Sequence, residues 1–189
     1  VPRPPSDRPE PIADASLEII ATSGLHALTH RSIDAKLGFP AGTTSYYART
    51  RAELISRAVT RLIQRFSDVT TDFPLDELTT DDQAVAAIVG VATILGGNES
   101  DLVARFVLQI DLRDDPELHP LLNATSRSQQ VTLELVTDLL ERFDIPDAVE
   151  HARGLLALID GLMLARLTGG SDVSLERAVA TYWAGLPRT

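Results

Sequence analysis

The segment Ala152 to Leu167, ARGLLALIDGLMLARL, is apolar on nearly every side, and this limits the fold more severely than any other part of the chain. As a helix it has no face suited to water, so it must be enclosed all round. In a chain of 189 residues two arrangements can do this. Either the segment is a central core helix, or a second copy of the chain covers its outer side. A last helix over Leu175 to Trp183 carries Tyr182 and Trp183, large aromatics that an isolated chain would leave partly wet. Together the two segments point to a homodimer in which each subunit gives two helices to a four-helix interface.

Helical spacing recurs through the rest of the chain. Ala13, Leu17 and Ile20 repeat at intervals of three and four from Ile12 onward, and Gly24 suits the left-handed residue that closes such a helix. Before them Pro2, Pro4, Pro5, Pro9 and Pro11 favour an extended arm over residues 1–11. Thr29 can cap a short second helix whose Ile33 and Leu37 face inward, Gly38 permits a sharp turn, and a third short helix follows over Ala41 to Tyr47. Thr50 and Glu53 have capping-box spacing ahead of an apolar stripe from Leu54 to Phe66. The pattern breaks over 67–79 at Phe73-Pro74 and a Thr/Asp cluster, which sets a domain boundary just after this fourth helix.

Three more helices are expected before the apolar segment. One carries Val85 to Leu95 and ends at Gly96-Gly97; the next carries Leu102 to Ile110 and ends near Asp114-Asp115-Pro116. A longer one runs from Leu118 to Phe143, bent in the polar stretch Thr125 to Gln130 and stopped by Ile145-Pro146. No strand-like alternation is sustained. The expected fold is all-α with about nine helices: a three-helix head with a helix-turn-helix, and a helical-bundle body over 67–189.

Composition removes several classes of function. With no cysteine the chain has neither disulfides nor a thiolate metal site. It has no apolar run long enough to span a membrane and no secretory leader pattern, which implies a cytoplasmic protein. The four histidines, His26, His30, His119 and His151, are scattered, and no Glu-x-x-His pair occurs, so no catalytic or cofactor site is expected. Asp114, Asp115, Glu117 and His119 look like metal ligands, but acidic residues at a helix start are explained by the helix dipole. A net charge of −10 argues against nucleic acid until its distribution is considered. Residues 1–66 hold nine basic and six acidic side chains, a net +3, leaving −13 on the rest. A basic head on an acidic body suits a protein that offers one end to DNA.

Two short helices joined at a glycine allow the second to enter a major groove. The wording of Leu28 to Leu54, LTHRSIDAKLGFPAGTTSYYARTRAEL, resembles the DNA-binding domain of the TetR family of bacterial transcriptional regulators. Gly24, Thr29, Ile33, Gly38, Gly42, Thr43, Arg51, Glu53 and Leu54 carry the match, which is close over about 12–66. Ala48 stands where most members have Phe, so Tyr46 and Tyr47 are expected to supply the missing packing. Pro40 replaces the usual Ser or Thr cap.

The resemblance implies a ligand-responsive repressor that binds a pseudo-palindromic operator as a homodimer, with 12–66 as the DNA-binding domain and 67–189 as the ligand-binding and dimerisation domain. Thr43, Thr44 and Ser45 are short polar groups suited to base edges or phosphates, and the hydroxyls of Tyr46 and Tyr47 can reach phosphate oxygens. Thr29, Arg31, Arg49 and Arg51 complete the expected DNA-binding set. The recognition helix itself has no Arg or Lys, so flanking arginines must supply the phosphate contacts. Arg105, Phe106, Gln109, Ile110, His119 and Met163 are candidates for lining a small-molecule pocket. The alternative reading is a helical homodimer that binds a small molecule or a protein and carries a vestigial DNA head.

Overall fold

The computed structural model describes residues 9–70, 74–122 and 127–188, which hold nine α-helices and no strand. They form two compact units. The first contains α1 (Pro9–Ser23), α2 (His30–Leu37), α3 (Thr43–Tyr47), α4 (Arg51–Thr70) as far as Phe66, and α6 (Glu99–Asp111). The second contains α5 (Asp81–Gly97), α7 (Arg127–Arg142), α8 (Ala148–Leu167) and α9 (Leu175–Ala184).

In the first unit α1 packs on both α2 and α6. Ala104 and Leu108 on α6, with Leu112 just past its end, recur every four residues and enter the same core as Ile12, Leu17, Ile20, Leu28, Ile33, Leu54 and Val59. A charged cluster fastens three helices. The Arg61 guanidinium on α4 donates to Asp14 on α1 at 2.7 Å, and Arg65 bridges Asp14, at 2.8 Å, to Asp101 on α6. These pairs are half-buried, so they add specificity of packing more than stability.

In the second unit α5 packs on α9, α7 on α8, and α8 on α9. Trp183 is buried edge-on against Phe143 at 5.2 Å, and its indole N–H donates to Asp81 at the start of α5, 3.0 Å away. Arg188 donates to the same Asp81 oxygen at 2.9 Å. The Tyr182 hydroxyl donates to the His151 carbonyl on α8 at 2.9 Å.

Several expectations need correction. α1 starts at Pro9, inside the expected arm, because proline lacks only an N–H that a first turn leaves unbonded anyway; residues 1–8 lie outside the described residues. α3 starts at Thr43 rather than Ala41. Gly42 precedes it with a positive φ of 87°, and the Pro40 carbonyl accepts the Thr43 N–H before any helical turn exists. Leu118, Leu121 and Leu122 do not belong to α7. They sit at a 3₁₀ turn, His119–Leu121, entered where the Asp115 carboxylate accepts the N–H groups of Glu117 and Leu118. Of the bend expected over Thr125 to Gln130, 125–126 lie outside the described residues, and 127–130 form the first turn of α7.

The aromatics of α9 are satisfied within the chain, so they do not call for a second copy. α8 behaves differently. It buries one stripe, Ala148, Ala152, Leu155 and Ile159, while Val149 and Leu164 stay 43% and 40% exposed.

Candidate nucleic-acid interface

α2 is built to start and stop where it does. The Thr29 hydroxyl accepts the Ser32 N–H while the Ser32 hydroxyl accepts the Thr29 N–H, a reciprocal cap, and Gly38 ends the helix in the left-handed conformation at φ 63°, ψ 28°. α3 is five residues long, too short to persist alone. Gly42, at the capping position just before it, has no side chain to cap it, and the acceptor comes from α2 instead. Buried Asp34 takes the Gly42 N–H at 2.8 Å on one oxygen, and the Thr44 N–H at 2.8 Å and hydroxyl at 2.6 Å on the other. These bonds, the Thr44 hydroxyl foremost, hold the carboxyl below its ordinary value; burial opposes them, and the His30 charge assists. One turn earlier on α2, the His30 Nε2–H donates to the carbonyl of Ala48, the residue that ends α3, at 2.8 Å. Because a carbonyl only accepts, the proton sits on Nε2.

The expected DNA-binding residues fall into distinct environments. Arg31, Ser45, Tyr46 and Arg49 are exposed, Tyr46 to 81%. Thr44 is wholly buried and its hydroxyl is spent on Asp34, so the expected base contact is corrected to an internal one. Thr43 is half-buried and donates to the Pro40 carbonyl at 2.7 Å. Thr29 serves as a cap. Tyr47 packs against the core, with Tyr46 standing edge-on to it at 5.1 Å, so only one of the pair supplies packing. Ala48 is itself fully buried. Arg51 gives one guanidinium nitrogen to the Leu25 carbonyl at 2.7 Å while remaining exposed overall.

Sequence reasoning missed Asp34, His30 and Arg57, which donates to the Tyr47 carbonyl at 2.7 Å. The available signal was Asp34 beside inward-facing Ile33 and one turn after His30, a polar pair on one helix face ahead of a capless Gly-Thr. The Thr50–Glu53 box is half formed. Thr50 accepts the Glu53 N–H at 3.1 Å, but the Glu53 carboxylate takes the Arg49 N–H, at 2.7 Å, instead of that of Thr50.

Of the candidate pocket residues, Arg105 stacks on Phe106 at 4.6 Å, Gln109 donates to the Leu122 carbonyl at 3.2 Å, Ile110 is exposed and His119 is half-buried, all in the first unit. Met163 belongs to the second unit and packs on its core. A surface cleft of about 640 Å³ in the second unit is lined instead by Pro74, Leu75, Asp76, Asp138, Glu141 and Arg142. No cluster of three metal-ligating side chains lies among the described residues.

Residues 79–186, more than half of the chain, match the sequence profile of the tetracyclin repressor-like C-terminal domain. The chain belongs to the TetR family. Its members are transcriptional regulators, not enzymes, and this chain is one. The HTH-type transcriptional regulator BetI of Escherichia coli K12 is 27% identical over 180 residues, which cover 92% of this TetR-family chain and 89% of BetI. A transcriptional regulator from Rhodococcus sp. RHA1 superposes with a TM-score of 0.80 at 18% identity over 94% of both chains. The multidrug binding protein EbrR, in complex with ethidium, superposes with a TM-score of 0.70 at 23% identity over 96% of this chain and 99% of EbrR. No described helix is long and apolar enough to cross a membrane.

Proposed function

We propose that this TetR-family regulator is a ligand-responsive repressor that binds a pseudo-palindromic operator as a homodimer, with residues 12–66 as its DNA-binding domain. The observation that carries the reading is the display of α3: Ser45 and Tyr46 face solvent, flanked by the exposed cations Arg31, Arg49 and Arg51, on a helix anchored at both ends. Uncharged Ser45 and Tyr46 supply base and backbone contacts, while the arginines supply the phosphate contacts. Two copies are needed because one five-residue helix without a cation reads too little sequence, and palindromic half-sites match a two-fold dimer. The dimer is proposed to form through α8, whose exposed side carries Ala157, Gly161 and Leu164, with α9 beside it over Leu175 to Trp183. The fold shared with EbrR supports a small-molecule effector, and within the first unit Arg105, Phe106, Gln109, Ile110 and His119 are the proposed contacts.

Selection of bound sequences from a random duplex library, followed by titration of salt, tests the reading. The expected result is two related half-sites and a linear loss of affinity with salt, whose slope falls by about 1 in Arg51→Ala. Failure of the folded dimer to shift any duplex at low salt would leave the vestigial-head alternative in its place.

A further inference from the structure

We infer that Asp34, assisted by His30, is the positioning residue that decides which side of the recognition helix faces a duplex, and that operator discrimination depends on it; the inference rests on the DNA-binding reading above. α3 cannot set its own orientation. It has five residues, no side-chain cap at Gly42, and a single turn of internal hydrogen bonds. Orientation must be imposed by a neighbour, and α2 does so at two points one turn apart. Asp34 holds the first amides and His30 the last carbonyl, so α3 is fixed along its length and about its own axis.

Rotation is the quantity that matters for reading. With Thr44 turned inward onto Asp34, the next two residues, at about 100° intervals, face outward. They are Ser45 and Tyr46, the exposed pair. A rotation of one residue would present Thr44 and bury Ser45, putting a methyl-bearing hydroxyl in the groove in place of a bare one. Asp34 therefore specifies the sequence read without touching it.

The chemistry requires a carboxylate. Three donors converge on it, and only an ionised acid offers two oxygens that accept without donating. Asparagine has the same shape but one acceptor oxygen. If that oxygen stays with Thr44, the amide NH₂ is turned against the Gly42 N–H. The same carboxylate neutralises the N-terminal end of α3, so phosphate is left to the arginines outside the helix.

The test uses the full chain with Asp34→Asn, Thr44→Val and Thr44→Ser. Amide exchange of Gly42 and Thr44 is measured in free protein, and affinity is measured for the best selected duplex and for a scrambled one. In Asp34→Asn the Gly42 amide is expected to exchange at least about tenfold faster, and the selected-to-scrambled ratio to fall by about tenfold while affinity for scrambled duplex holds. Thr44→Val should lower the ratio similarly and Thr44→Ser, which keeps the hydroxyl, should restore it. Equal losses on both duplexes, or an unchanged ratio in Asp34→Asn and Thr44→Val, would overturn the inference. Should the wild type bind no duplex, the functional reading fails by itself. In that event slow exchange of the wild-type Gly42 and Thr44 amides still supports the clamp, and exchange at the rate of an open loop refutes it.

Discussion

Asp34 shows how much one side chain in this head has to satisfy. Its lowered carboxyl pKa, caused first by the Thr44 hydroxyl and then by the Thr44 and Gly42 N–H groups and the His30 charge against the opposing cost of burial, makes it a contributor to folding with a definite pH window. A carboxylate depressed in the folded state stabilises at pH above its unfolded value, about 3.9 for a free Asp, and that contribution disappears as pH falls through the depressed value. The difference in melting temperature between wild type and Asp34→Asn should therefore be greatest above about pH 5 and shrink steadily below about pH 4. A difference that stays constant across that range would mean that the Asp34 carboxyl titrates alike in the folded and unfolded chain, so that its three hydrogen bonds do not favour the ionised form. Nothing in residue type separates Thr43, Thr44 and Ser45; burial does, with Thr44 enclosed and Ser45 exposed.

At the scale of the helix, α8 and α9 meet where Gly154 lies against Tyr182. A Cβ at Gly154 would collide with the Tyr182 hydroxyl, while the next ring atom is an ordinary 3.4 Å away. Two effects compete in Gly154→Ala. Helix propensity favours alanine by about 1 kcal/mol, and overpacking costs about 1–3 kcal/mol, so the variant should be destabilised. Tyr182→Phe removes the colliding atom along with the bond to the His151 carbonyl, at a cost of about 1 kcal/mol. In that background the sign should reverse, with Gly154→Ala stabilising by up to about 1 kcal/mol. Chemical denaturation of the four proteins of this cycle checks it; equal effects in both backgrounds would place the strain elsewhere. The same helices show where pattern reading failed. Trp183 looked surplus in the sequence, yet it has Phe143 and Asp81 as partners, residues separated from it by up to 102 positions. Leu118, Leu121 and Leu122 continued the apolar pattern of α7, but they pack in the core of the other unit or at its surface, and Asp115 turns the chain there.

For the molecule as a whole, charge and oligomeric state act together. In the proposed dimer two basic heads would raise the phosphate attraction that an acidic chain of net −10 otherwise lacks, so dimerisation and DNA affinity should be lost together. Leu164→Glu places a charge on the exposed side of α8 without touching its buried stripe. Sedimentation should then show monomer at micromolar concentration with helical content unchanged, and operator affinity should drop by at least about a hundredfold. A variant that stays dimeric would move the interface away from Leu164. The all-helical fold, the helix-turn-helix and the family were legible in the chain alone, because spacing of apolar residues, glycine turns and caps act over three or four positions and need no tertiary partner. Two things were not: that α6 joins α1 rather than the other body helices, and that Asp34 turns Thr44 inward, leaving Ser45 and Tyr46 as the surface a duplex would meet. Both are decided by contacts between separate helices, where any apolar face can match several others and only the assembled core selects one.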